Sequence, residues 1–85
     1  MSCEVLSLLR LRVVADADPL ALIRVLERLQ NLNVLPRKVT AELCITGVFH
    51  VEVDILGITE ESLKIIAAKL AQSPCIQSAR WHRAC

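Results

Sequence analysis

Apolar and polar residues alternate along the first part of the chain and change period at Asp16-Ala17-Asp18-Pro19. Before that point Val5, Ser7, Leu9, Leu11 and Val13 fall on one face of a strand, and Arg10 and Arg12 on the other. After it Leu22, Ile23, Val25, Leu26 and Leu29 form an apolar helical stripe, with Arg24, Glu27, Arg28 and Gln30 largely around the polar side. The switch predicts a strand over about Glu4–Val14 and a helix over Pro19–Asn31. Asp18 can accept from the first free N–H groups of that helix, and Pro19 suits its first position because it has no N–H to leave unpaired. Asn31 or Asn33 can take the left-handed conformation that ends a helix.

Pro36 biases Leu35 toward extended geometry and restarts the chain as a strand. Over Arg37–Ile45, Val39, Ala41, Leu43 and Ile45 alternate with Lys38, Thr40, Glu42 and Cys44. Thr46-Gly47 makes a short connection, and Val48–Ile55 sets Phe49, Val51, Val53 and Ile55 against His50, Glu52 and Asp54. The two runs predict a hairpin, with Gly47 free to take the positive φ that a tight turn requires. Thr59 is the expected cap of a second helix whose first turn carries Glu60 and Glu61. Leu63, Ile66, Ala67 and Leu70 form its buried stripe, Ser73-Pro74 ends it, and Ile76–Trp81 is a final short strand.

Strand, helix, strand, strand, helix, strand is the order of a ferredoxin-like α+β fold. It predicts a βαββαβ sandwich in which a four-stranded antiparallel sheet, in the order four-one-three-two, carries two helices on one face. The other face would hold Arg10, Arg12, Lys38, Thr40, Glu42, His50, Glu52 and Asp54, polar enough to need no covering layer. Arg10 or Arg12 is placed to pair with Glu52 or Asp54 across strands.

With 85 residues, 54% hydrophobic and 22% charged, the chain has the composition of one folded domain over residues 1–85. Its small size favours association. The net charge of +1 is spread without a block of one sign, which gives no electrostatic argument for nucleic acid or an anionic membrane. No apolar window approaches a membrane span, and no leader pattern precedes the first strand, so a soluble cytoplasmic protein is expected. Cys3, Cys44, Cys75 and Cys85 lack the close pairing of a metal knuckle or a CxxC redox centre.

Three kinds of chemistry can be weighed against ordinary structural roles. His50 beside Glu52 is a conceivable base held by a carboxylate, but no nucleophile accompanies it in a recognisable motif. Cys3, His82 and Cys85 could meet where the first and last strands run side by side and offer soft metal ligands, although chain ends fray. No metal or cofactor is expected. RNA recognition needs aromatic rings on the open sheet face, whereas Phe49 falls on the core face and Trp81 near the end. The strand-to-helix turn has the better case. N–H groups at the start of the helix suit a carboxylate and Asp16 or Asp18 an ammonium group, the two charged ends of a free amino acid. Its structural alternative is that Asp18 caps the helix and Asp16 ends the strand.

The first strand with Asp16-Ala17-Asp18-Pro19, the helix ending in Leu32-Asn33-Val34, and Phe49-His50-Val51-Glu52-Val53 before the second helix together resemble an ACT domain, particularly the small regulatory subunit of acetolactate synthase. The resemblance spans about Leu8–Trp81. It implies a non-catalytic regulatory domain that binds an amino acid at a dimer interface and transmits its level to a biosynthetic enzyme, with branched-chain amino acids the nearest analogy. Residue by residue, it marks Asp16, Ala17, Asp18, Pro19 and Leu20 as the ligand-facing loop, and Asn33 and Val34 as the segment near the opposing subunit. The glycine usual after the loop proline is Leu20 here, which adds a branched side chain where glycine lets a ligand approach the backbone. That departure gives weight to an alternative, a ligand-free assembly module. A homodimer is expected on either reading, because a four-stranded sheet leaves two edges unpaired and the second strand is long enough to pair with a copy of itself.

Overall fold

The computed structural model describes residues 8–84. Its elements are β1 (Leu9–Asp16), α1 (Leu20–Asn31), β2 (Lys38–Leu43), β3 (Val48–Ile55), α2 (Glu60–Leu70) and β4 (Ile76–Arg83). The strands form one antiparallel sheet in the order β2-β3-β1-β4, the ferredoxin-like topology that the element order predicts. Val5 and Ser7 lie outside the described residues. Within them β1 starts at Leu9 and continues past Val14, because Asp16 still pairs with Val48 and donates its N–H to the Cys75 carbonyl at 2.8 Å. β4 runs two residues beyond Trp81, since His82 and Arg83 stay in register with Arg10 and Leu9. β2 is shorter than the alternation suggests. The chain leaves it for a three-residue turn in which Gly47, at φ 88°, donates its N–H to the Cys44 carbonyl.

The core lies between the helices and one face of the sheet. It combines Leu9, Leu11, Val13 and Ala15 of β1 with Val51, Val53 and Ile55 of β3 and Ile76 of β4. From above, Leu63, Ile66, Ala67 and Leu70 of α2 meet Ala21, Val25 and Leu29 of α1. The stripe expected for α2 is the one observed, and Thr59 caps it by accepting from the Ser62 N–H at 3.1 Å.

For α1 the expected stripe needs correction. Val25 and Leu29 are buried and Leu22 packs partly against the core, but Ile23 is 55% exposed and Leu26 38% exposed. The buried line is Ala21, Val25 and Leu29, one residue per turn. Ala21 was not part of the expected stripe, yet its short side chain brings this line of the helix close to the sheet. Apolar residues thus occupy two flanks of α1, and only one of them faces the core.

The exit from α1 is a Schellman motif. The Asn33 N–H donates to the Gln30 carbonyl and the Val34 N–H to the Leu29 carbonyl, each at 2.9 Å, while Asn33 adopts φ 57°. Of the two asparagines, Asn33 is therefore the one in the left-handed region. Asn33→Val is expected to cost about 1–2 kcal/mol because a β-branched residue clashes there, whereas Asn33→Gly should be close to neutral. Urea unfolding of the two variants checks this, and equal losses would contradict it.

Candidate functional site

The β1–α1 turn is tied down by its own acids. Asp18 Oδ1 accepts from the Leu20 N–H at 3.0 Å, and the Asp18 carbonyl accepts from the Ala21 N–H at 2.9 Å. Pro19 already has helical dihedrals (φ −55°, ψ −25°), so Asp18 acts as the cap and Pro19 as the first helical residue, although regular helix pairing begins at Leu20. Asp16 accepts from the Gln77 side-chain amide at 2.7 Å. The sequence pattern did not bring in Gln77. It reaches Asp16 because the β1–β4 register shifts between Val14 and Ala15.

A carboxylate arriving at this turn would find the Leu20 and Ala21 N–H groups already bonded to Asp18, and the Leu20 side chain half exposed beside them. Asp16, Ala17, Pro19 and Leu20 are exposed and Asp18 half-buried, so the turn itself is open to solvent.

Asn33 and Val34 lie at the far end of α1. Twelve helical residues separate them from the turn, about 18 Å along the axis. One copy of the chain therefore does not bring the two halves of the expected site together. Asn33 and Val34 instead line a groove of about 290 Å³ with Leu26, Gln30, Leu35 and Pro36. Val34 packs partly against the core, as the hydrophobic contact of a Schellman end requires.

The polar sheet face curves into a shallow concavity of about 760 Å³, lined by Arg12, Glu42, His50, Glu52, Arg80 and His82 among others. The cross-strand pairs expected on this face, Arg10 or Arg12 with Glu52 or Asp54, are formed. Arg10 grips Asp54 with both ends of its fork, Nε to Oδ1 at 2.6 Å and Nη2 to Oδ2 at 3.1 Å, and Arg12 lies 3.1 Å from Glu52. Glu52 is thus directed at arginine rather than at His50. Phe49 and Trp81 both pack partly against the core, and Trp81 also borders the concavity.

Asp54 departs from the expectation of a uniformly wet face, being buried at 6% exposure. The hydrogen bonds from Arg10 hold its carboxyl below the ordinary value against the opposing effect of burial, and the charges of Arg10, Lys38 and Arg37 add to the lowering. A carboxyl that binds its proton less tightly in the folded state contributes stability above its unfolded value. That contribution is lost as pH falls through the folded one. The unfolding midpoint of the native protein should therefore exceed that of Asp54→Asn at neutral pH, and the gap should narrow below about pH 4. A gap of constant size in urea titrations at the two pH values would contradict the assignment.

Among the described residues no group of three His, Cys, Asp or Glu side chains could hold a metal ion. Cys3 and Cys85 lie outside the described residues, so the meeting of Cys3, His82 and Cys85 weighed above does too. Among the described residues no helix is long and apolar enough to cross a membrane.

By sequence, no protein-family model and no curated protein matches the chain. Solved structures do. The chain is similar to the C-terminal domain of the MgtC protein from Mycobacterium tuberculosis, with a TM-score of 0.77 at 17% identity over 99% of this chain and 94% of that one. It is also similar to the ACT domain from GTP pyrophosphokinase of Chlorobium tepidum, with a TM-score of 0.74 at 13% identity over 91% and 99%. A homoserine dehydrogenase from Thiobacillus denitrificans matches with a TM-score of 0.71 at 15% identity, over 93% of this chain and 17% of that one. At such identities the likeness is one of fold, and the fold is that of a small ACT-like domain. The more specific resemblance to the acetolactate synthase subunit does not emerge from these neighbours.

Proposed function

We propose that this chain is a small non-catalytic, cytoplasmic regulatory domain that works as a homodimer and senses an amino acid on behalf of a biosynthetic enzyme. The observation that carries the reading is the end-to-end likeness to an ACT domain, which covers 91% of this chain and 99% of that domain. Supporting it, the Asp16–Leu20 turn and the Asn33-Val34 segment lie at opposite ends of α1, so a second copy is needed to complete a pocket from both. Branched-chain amino acids are the first ligands to try, by the resemblance stated above.

A second reading, a ligand-free assembly module, is favoured by one local feature. Asp18 already engages the Leu20 and Ala21 N–H groups, and Leu20 stands where a ligand would approach them. Calorimetric titration of the purified dimer with a panel including valine, leucine and isoleucine separates the two. Saturable binding near one ligand per subunit, lost in Asp16→Ala while the dimer persists, is the outcome expected of a sensor. A folded dimer that binds none of the panel moves the assignment to assembly.

A further inference from the structure

The polar face of the sheet is built in rows that run across the strands. Register places Thr40, Glu52, Arg12 and Arg80 in one row, and Glu42, His50, Val14 and Ser78 in the next. In these rows the carboxylates stand on β2 and β3 and the guanidinium groups on β1 and β4. Arg12 and Arg80 face each other directly. Ala84 donates its N–H to the Leu8 carbonyl at 2.8 Å, so by the alternation of an antiparallel ladder Arg12 and Arg80 form a hydrogen-bonded pair, with Cα atoms roughly 5.5 Å apart. Like charges in that relation repel. Glu52 approaches Arg12 through Nε at 3.1 Å, which leaves the N–H groups of its two terminal nitrogens. Among the described residues no carboxylate comes within 4.0 Å of Arg80. The pair therefore carries one positive charge that no described acid offsets.

We propose that the concavity on this face binds a small phosphate monoester, whose phosphate is held between Arg12 and Arg80. Ser78 and His82 lie two residues to either side of Arg80 on the same face of β4, and both line the concavity with the two arginines. Together the four side chains offer two guanidinium forks, a hydroxyl and an imidazole. A carboxylate has one charge and two oxygens, which a single fork satisfies. A phosphate monoester carries a charge of about −1.5 to −2 at neutral pH and three acceptor oxygens, so it can occupy both forks and offset their repulsion. The concavity lies on the sheet face away from the helices, so this binding goes beyond amino-acid sensing at the ends of α1 and does not depend on it.

The remainder of the row constrains the rest of the ligand. From Ser78 the concavity passes over Val14 to His50 and Glu42, three strand spacings or roughly 14 Å away. Its volume of about 760 Å³ is that of a small-molecule site. Val14 is half-buried and supplies an apolar floor in the middle of the row. Glu42 at the far end repels a second anionic group and accepts from a hydrogen-bond donor. The complementary ligand has a phosphate at one end, an apolar middle and a donor such as an amine at the other. A nucleoside monophosphate has that form. A nucleic-acid strand does not, because its successive phosphates would meet Glu42 and Glu52 on the same face.

Calorimetric titration of the full chain in a phosphate-free buffer tests this, with AMP as the probe and adenosine and inorganic phosphate as its two parts. AMP should bind near one per chain, inorganic phosphate should compete with it, and adenosine should not bind. Arg80→Gln should weaken AMP binding by about tenfold or more, and Arg80→Lys should recover only part of the loss, since an ammonium lacks the fork. Lys64→Gln, which removes an exposed charge from α2, should leave binding unchanged. Thermal melts give a second readout. Without AMP, Arg80→Gln should melt no lower than the native protein, because it removes the repulsion with Arg12. Saturating AMP should raise the native midpoint and not that of the variant. Asp16→Ala should bind AMP as the native protein does, which separates this site from the β1–α1 turn. No AMP binding, or binding weakened equally by Lys64→Gln and Arg80→Gln, would overturn the site and leave the amino-acid reading standing. A chain that takes a single-stranded oligonucleotide but not AMP would overturn it as well.

Discussion

Val25→Asp is expected to abolish cooperative unfolding. Val25 is fully buried in the middle of α1, among side chains from both helices and the central strands. An unpaired carboxylate in such a place costs about 3–5 kcal/mol or shifts its proton affinity to stay neutral. A domain of this length has a total stability of roughly 4–13 kcal/mol, so the loss is comparable to the whole. Leu26→Asp, one residue on, should leave a folded protein with a loss of about 1–2 kcal/mol, because that side chain is 38% exposed at the rim of the groove. Thermal melts followed by circular dichroism distinguish the two. An unfolded Leu26→Asp beside a cooperative Val25→Asp would mean that α1 presents its other apolar flank to the sheet.

Leu11→Ala should cost about 2–5 kcal/mol. Leu11 sits in a central strand between Val53 and Trp81 in register, with no exposed surface, so truncation leaves a cavity that two flanking strands prevent from closing. Arg12 is the next residue, points to the opposite face and has a side chain 62% exposed. Arg12→Ala removes its contact with Glu52 and should cost about 0–1 kcal/mol. Urea unfolding free energies of the two variants test the alternation of β1 directly. Losses of similar size would contradict it.

These two comparisons also mark where the sequence pattern is informative. In β1 and β3, strict alternation leaves one choice of inner face, and the structure adopts it. α2 has a single apolar stripe and a threonine cap, and both are where the pattern puts them. α1 carries leucine, isoleucine and valine on two flanks, and periodicity alone does not say which flank turns inward. The deciding residue is Ala21, whose small size makes it look uninformative in the sequence. β2 shows a different limit. Alternation assigns Val39, Ala41 and Leu43 to the apolar side correctly, but whether a helix reaches over that side depends on tertiary geometry.

The candidate site was legible in the same uneven way. Asp18 and Pro19 mark the start of α1 through local backbone chemistry, and of Asn31 and Asn33, either of which could end it, Asn33 takes the left-handed conformation. Gln77 is not marked in this way, because a register shift in β4 decides that it meets Asp16. Asp54 looks like any other residue of the polar face until Arg10 closes over it.

The proposed sensor function is tested most directly by amide chemical shifts of the labelled protein during addition of a branched-chain amino acid. Saturable changes should appear together at Asp16, Ala17, Asp18 and Leu20 and at Asn33 and Val34, two segments that one copy holds at opposite ends of a helix. A folded dimer whose shifts in both segments stay fixed throughout the titration would contradict amino-acid sensing.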